Sequence, residues 1–152
     1  MEATISSRPA FTVGGLLYRG KNEENEIAQM WSTSGARLWE MPNVTRPGVA
    51  YGVMDNMDLE SGAFEYLAGL EVEAGADLPE GMVAWEIPAQ TYAVFACTLP
   101  TLMETIHQIY EQWLPQSDYA RSAGPEFEFY GQAFDANNPQ SEMELWIPVK
   151  PS

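Results

Sequence analysis

Apolar residues along this chain recur with two periods, and the period changes at identifiable punctuation. Phe11 to Tyr18 (FTVGGLLY) is an apolar run of strand length. Asn22 to Glu26 (NEENE) then begins a helix, with acids where the helix dipole favours negative charge. Ile27, Met30, Trp31, Ser34 and Leu38 fall on one helical face, and Pro42 ends the element. Val49 to Met54 (VAYGVM) and Phe64 to Val72 (FEYLAGLEV) are expected as two strands joined by an acidic turn over residues 55–62.

The same order of elements returns in the second half. Gly81 to Phe95 (GMVAWEIPAQTYAVF) reads as strand, with Pro88 marking a bend or an edge because proline cannot donate to a ladder. Thr101-Leu-Met-Glu104 fits a capping box, Leu102, Ile106, Ile109 and Trp113 form a helical stripe, and Pro115 is expected to close it. Phe127 to Phe134 (FEFYGQAF) and Glu142 to Val149 (EMELWIPV) are the last expected strands. Phe11-Thr-Val and Thr91-Tyr-Ala, Tyr51-Gly52 and Tyr130-Gly131, and Tyr66 and Trp146 are all offset by 79 or 80 residues. That constancy predicts a duplicated strand–helix–strand–strand unit, repeat 1 over about 10–75 and repeat 2 over about 81–150. The fold class is therefore α+β: one domain over residues 1–152, with a central antiparallel sheet and a ligand cleft between the repeats.

Composition narrows the function. Lys and Arg total 7 against 22 Asp and Glu, a net charge of −15. Such a surface repels phosphate backbones and anionic membranes and attracts cations, so neither nucleic acid nor a membrane is an expected direct partner. Cys97 is the only cysteine, which excludes an internal disulfide, and its apolar setting reads as a buried, inert thiol. The N-terminus lacks a basic stretch followed by an apolar run, and no apolar segment approaches the roughly 20 residues that span a bilayer, so the cytoplasm is the expected compartment. No metal or other cofactor is expected. His107 is the only histidine, a solvated helix face accounts for Glu104, His107 and Glu111, and no Gly-rich phosphate loop or G-x-S-x-G elbow is present.

The informative chemistry is a carboxylate among aromatics. Strand alternation puts Glu126, Glu128 and Tyr130 on one face and Phe127 and Phe129 on the other. Tyr51, Trp85, Tyr92 and Trp146 lie on strands that can come near, and aromatic faces beside a carboxylate suit an organic cation. The same pattern also describes ordinary core aromatics and a solvated strand glutamate, and on the pattern alone that account carries more weight.

A family resemblance changes the weighting. Asn25-Glu-Ile-x-x-Met-Trp31, Tyr51-Gly52, Phe64 to Val72, Gly81-Met82, Ile87-Pro-Ala-x-x-Tyr-Ala-Val-Phe95, Trp113-Leu-Pro115, Pro125-x-Phe-Glu-x-Tyr130 and Ile147-Pro-Val-Lys150 resemble the GyrI-like, or effector-binding, domain. That domain also ends multidrug-sensing regulators of the AraC and MerR types, and the likeness is strongest to a stand-alone member carried as an integron gene cassette. The resemblance implies tandem SHS2-like units and a buried glutamate that attracts cationic drugs, with Glu128 in its place and Tyr130 beside it. It also implies pocket walls at Tyr51, Tyr92 and Trp146, with Trp31 and Trp85 as further candidates. Unlike the regulators, no helix-turn-helix unit is recognised here, so a transcriptional role calls for a DNA-binding protein partner. Three functions follow: binding of small lipophilic cations as a sensor or sequestering module, a small hydrolase using Glu128 as general base, and a gyrase-inhibitor-like protein-interaction module.

Overall fold

The computed structural model describes residues 1–152. Nine strands and a few helical segments follow one another as β1 (Thr4–Arg8), β2 (Phe11–Gly20), α1 (Glu26–Ser34), a 3-10 turn (Gly35–Glu40), β3 (Ala50–Asp55) and β4 (Phe64–Val72). The second half runs β5 (Val83–Ile87), β6 (Gln90–Thr98), α2 (Leu102–Gln108), a π turn (Ile109–Trp113), α3 (Leu114–Gln116), β7 (Tyr119–Arg121), β8 (Glu126–Tyr130) and β9 (Glu142–Pro151). Every pairing is antiparallel, in the order β1-β6-β9-β8-β3-β4-β2-β5, with β7 beside β9. The α+β class and the antiparallel sheet expected from the sequence are both present.

Local details differ where side chains, rather than periodicity, decide them. Asn22 and Asn25 adopt left-handed backbone, and the Ile27 amide donates to Asn22 Oδ1 at 3.0 Å, which delays the first helix to Glu26. Of its expected buried face only Leu38 is fully enclosed, while Met30 and Trp31 pack partly against the core. The second helix is capped earlier than expected: the Thr98 amide donates to Thr101 Oγ1 at 3.1 Å, so Thr101 answers the cap and does not supply it. Pro115 does not close the helical run, which continues unbroken through it to Gln116, and the chain turns out only at Ser117. β8 stops at Tyr130, short of the expected Phe134. The polar β1 and the three-residue β7 carry no apolar run that would announce them.

Pro88 does mark a bend. β5 and β6 are separated only by Pro88 and Ala89, yet β5 pairs with β2 and β6 with β1. Pro9 and Ala10 separate β1 from β2 in the same way. In a flat sheet β1 and β2 would stand six strand spacings apart, about 29 Å. Three Cα steps from Arg8 to Phe11 reach at most about 11 Å. The sheet must therefore curl until its two ends meet, and the curl encloses one face.

Both helical segments pack on the other, outer face. Phe95, Cys97, Met143, Leu145 and Ile147 meet Leu102, Ile106, Ile109 and Trp113, as the helical stripe predicted. Leu16, Leu70 and Val72 meet Leu38, Met41, Met30 and Trp31. The inner face carries Phe11, Val13, Tyr51, Val53, Leu67, Ile87, Tyr92, Val94 and Phe127, buried without any helix over them.

Exchanging β2, β3 and β4 for β6, β8 and β9 leaves the strand order unchanged, but the sequence landmarks do not coincide with that symmetry. Phe11, Tyr51 and Trp146 belong to the inner face, whereas Thr91, Tyr130 and Tyr66 project from the outer one. Each pair spaced by 79 or 80 residues thus straddles the sheet, because an offset wrong by one residue reverses the face.

Gly15 and Gly69 stand opposite each other where β2 and β4 press together. A Cβ at Gly69 would lie 2.3 Å from the Gly14 carbonyl oxygen, and one at Gly15 would lie 1.9 Å from that of Ala68. Gly69→Ala is expected to lower stability in chemical unfolding by about 1–3 kcal/mol. Gly131→Ala, whose nearest contact is at 3.5 Å, should stay within about 0.5 kcal/mol of the parent chain.

Candidate functional site

β8 occupies the middle of the sheet, between β9 and β3. Its alternation is as the sequence predicts, with Phe127 in the inner core and Glu128 on the outer face in the gap between the two helix-covered clusters. Glu128 is only 6% exposed. Its Oε1 accepts hydrogen bonds from Tyr66 Oη at 2.8 Å and Tyr130 Oη at 2.7 Å. Trp31 Nε1 donates to Tyr66 Oη at 3.0 Å, and the Trp31 ring meets Tyr130 edge-on with centroids 6.0 Å apart. Oε2 accepts no hydrogen bond. The only fully enclosed side-chain polar atom without a partner is Tyr92 Oη, so Oε2 keeps contact with solvent.

Charge separates Glu128 from the other sheltered glutamates. Glu71 pairs with Arg8, Glu65 with Arg19 and Glu126 with Arg121, whereas Glu128 has no cation. Burial pushes its carboxyl above the ordinary range; the Tyr130 and Tyr66 hydrogen bonds pull it back in part, and the charge of Glu126 adds to the rise. Burial and then the Glu128 charge raise both tyrosines, which stay protonated as donors. Cys97 is pushed up to about 11, first by burial and then by the Glu128 charge, so its thiol stays protonated.

Gly52 makes room for this cluster. It stands directly across from Glu128 in the β3–β8 ladder. A Cβ there would lie 2.0 Å from Tyr66 Oη and 2.6 Å from Glu128 Oε1. Its backbone is not left-handed, so space and not conformational freedom calls for glycine.

Among the residues singled out by sequence, Glu128, Tyr130 and Trp31 come together. Tyr51, Tyr92, Trp85 and Trp146 do not join them. They line the inner face with Phe127 and Phe129, because each sits at a strand position of the opposite parity. The thickness of the sheet separates these four side chains from Glu128. Tyr66 was missed as a site residue, having stood out only as a repeat landmark. Alternation along Phe64-Glu-Tyr-Leu gives Tyr66 a face, but only the β3–β4 and β3–β8 registers bring that face to Glu128.

Residues 4–149 match the family described as integron-associated effector binding protein, Cass2. The chain belongs to this family. This Cass2-family chain is 38% identical over 152 residues to the transcriptional regulator BrlR of Pseudomonas aeruginosa. The match covers 98% of this chain and 56% of BrlR, so the chain spans about half the length of that regulator. The structure of SAV2435 bound to tetraphenylphosphonium is similar in fold, with a TM-score of 0.76 and 22% identity over 99% of this chain and 94% of the other. The integron cassette protein VCH_CASS2 of Vibrio cholerae has a TM-score of 0.64 and 20% identity, covering 97% of this chain and 95% of its own. The chain is thus an effector-binding domain, and it has no helix long and apolar enough to cross a membrane.

Two outcomes test the geometry. A raised carboxyl contributes stability that is fully present below its unfolded value and is lost as pH rises through its folded one. E128Q should therefore melt with the parent chain in acid and above it at neutral pH, a difference read by thermal unfolding across pH. Gly52→Ala should keep the fold but separate Tyr66 from Glu128, seen as a shift of the Glu128 carboxyl resonance titration in NMR.

Proposed function

We propose that this effector-binding domain takes up small lipophilic organic cations at Glu128. The observation that carries the reading is that the most deeply buried carboxylate has no cation beside it, although Glu65, Glu71 and Glu126 each have an arginine. An uncompensated buried charge costs several kcal/mol of desolvation, which two tyrosine hydroxyls offset only in part. A ligand cation beside Oε2 supplies the missing charge, and the rings of Trp31, Tyr66 and Tyr130 add about 0.5–2 kcal/mol each where they face it. Ring faces impose little shape, so several cations of one charge class fit the same site. The tetraphenylphosphonium held by the similarly folded SAV2435 is a ligand of this class.

The domain acts in this reading as a sensor or a sequestering module. Its likeness to about half of a transcriptional regulator supports work alongside a DNA-binding protein, with the domain itself, at a net charge of −15, kept off the nucleic acid.

Tetraphenylphosphonium titration followed by tryptophan fluorescence tests the site, since Trp31 lies beside Glu128. Saturable quenching is expected, weakened about tenfold or more in E128Q, equivalent to about 1.4 kcal/mol. Affinity should also rise with pH as the carboxyl ionises, above the range of an ordinary glutamate. Equal affinity for the parent chain and E128Q would remove the carboxylate from the mechanism.

A further inference from the structure

The inner face holds a second arrangement of aromatic rings and a carboxylate, and it is already filled. The Arg8 guanidinium carbon lies 3.6 Å from the Phe11 ring centroid, 5.4 Å from Tyr51, 5.6 Å from Phe127 and 5.8 Å from Trp146. Arg8 Nη2 donates to Glu71 Oε1 at 2.8 Å and to Tyr51 Oη at 2.9 Å. Tyr51 Oη in turn donates to the same Glu71 oxygen at 2.8 Å. Rings within about 6 Å of a planar cation, closed by a carboxylate, are what recognition of a guanidinium requires.

The strand that delivers Arg8 is weakly held. None of the β1 residues is buried, and β1 is an edge strand paired with β6 alone. Nη2 makes all the side-chain hydrogen bonds of Arg8, which leaves Nε and Nη1 without protein acceptors. A shallow, open depression lined by Ser7, Arg8, Pro9, Ala89, Gln90 and Thr91 lies beside it, where the two short links run. Phe11, Tyr51, Phe127 and Glu71 belong instead to β2, β3, β8 and β4, so the cage does not depend on β1 for its walls.

We infer that this cage is a cation site in its own right, specific for an alkylguanidinium group and occupied in cis by Arg8. It is separate from Glu128, which lies across the sheet from Phe127's side chain and shares none of the cage's contacts. A tethered occupant competes at high effective concentration, so free guanidines gain access chiefly when Arg8 is removed.

Thermal unfolding of Arg8→Ala with added methylguanidinium tests the inference. The melting temperature of R8A should rise saturably, by about 3–6 °C at ten times the dissociation constant, and that of the parent chain should not. Glu71→Gln in the R8A background should abolish the rise, while Glu128→Gln should leave it intact even if tetraphenylphosphonium binding is lost. Arg8→Gln, whose amide keeps a donor toward Glu71, gives a second background should R8A fail to fold alone. N-acetylarginine amide run in parallel separates a protein arginine from a free guanidine as the source. No rise in either background, an equal rise in R8A/E71Q, or an equal rise with methylammonium would overturn the inference.

Discussion

Two links of two residues each, Pro9-Ala10 and Pro88-Ala89, impose the constraint on which the rest of this structure depends. Each ties a strand at one end of the sheet to a strand near the other end, across a distance the link cannot span if the sheet is flat. Curling brings the ends together and divides the strand residues by parity. Odd and even positions enter different environments: an inner aromatic core closed by the sheet itself, and an outer face covered on either side by helical segments. Between those two covered regions the central pair β3–β8 is left for Glu128.

The division by parity also distributes charge. Glu71, on the inner side, has Arg8 and Tyr51; Glu126, two residues before Glu128 on the outer side, has Arg121 and Tyr110. In both, a guanidinium and a phenol share one carboxylate. At Glu128 the phenols are present twice over and the guanidinium is missing. A paired carboxylate in a sheltered place holds neighbouring strands together, whereas an unpaired one leaves a desolvated charge uncompensated. The protein thus contains the arrangement with its guanidinium at Glu71 and Glu126 and without it at Glu128.

Gly52 shows how narrow the tolerance is. The Tyr66 hydroxyl and a Glu128 carboxylate oxygen meet where one methyl group would stand, so the Tyr66 hydrogen bond to Oε1 needs a residue across the ladder that has no side chain. The same ladder puts Tyr51 against Phe129 on the inner face, one residue away in sequence and the thickness of the sheet away in space.

Much of this was legible in the chain. Apolar runs of strand length located β2, β3, β4, β6, β8 and β9 to within a few residues, the stripe from Leu102 to Trp113 identified the second helical segment, and Pro88 marked a bend. The local alternation of Glu126 to Tyr130 separated Glu128 from its phenylalanine neighbours. These properties follow from a few adjacent residues, which is why the sequence alone determined them. It did not determine which strands β1 and β5 would join, nor which face of β3, β4, β6 and β9 would meet Glu128. Tyr51, Tyr92 and Trp146 therefore looked like partners of Glu128, and Tyr66 did not. Only the tertiary structure decided this, because face-to-face correspondence between distant strands depends on register, and a shift of one residue exchanges every side chain between the two sides of a sheet.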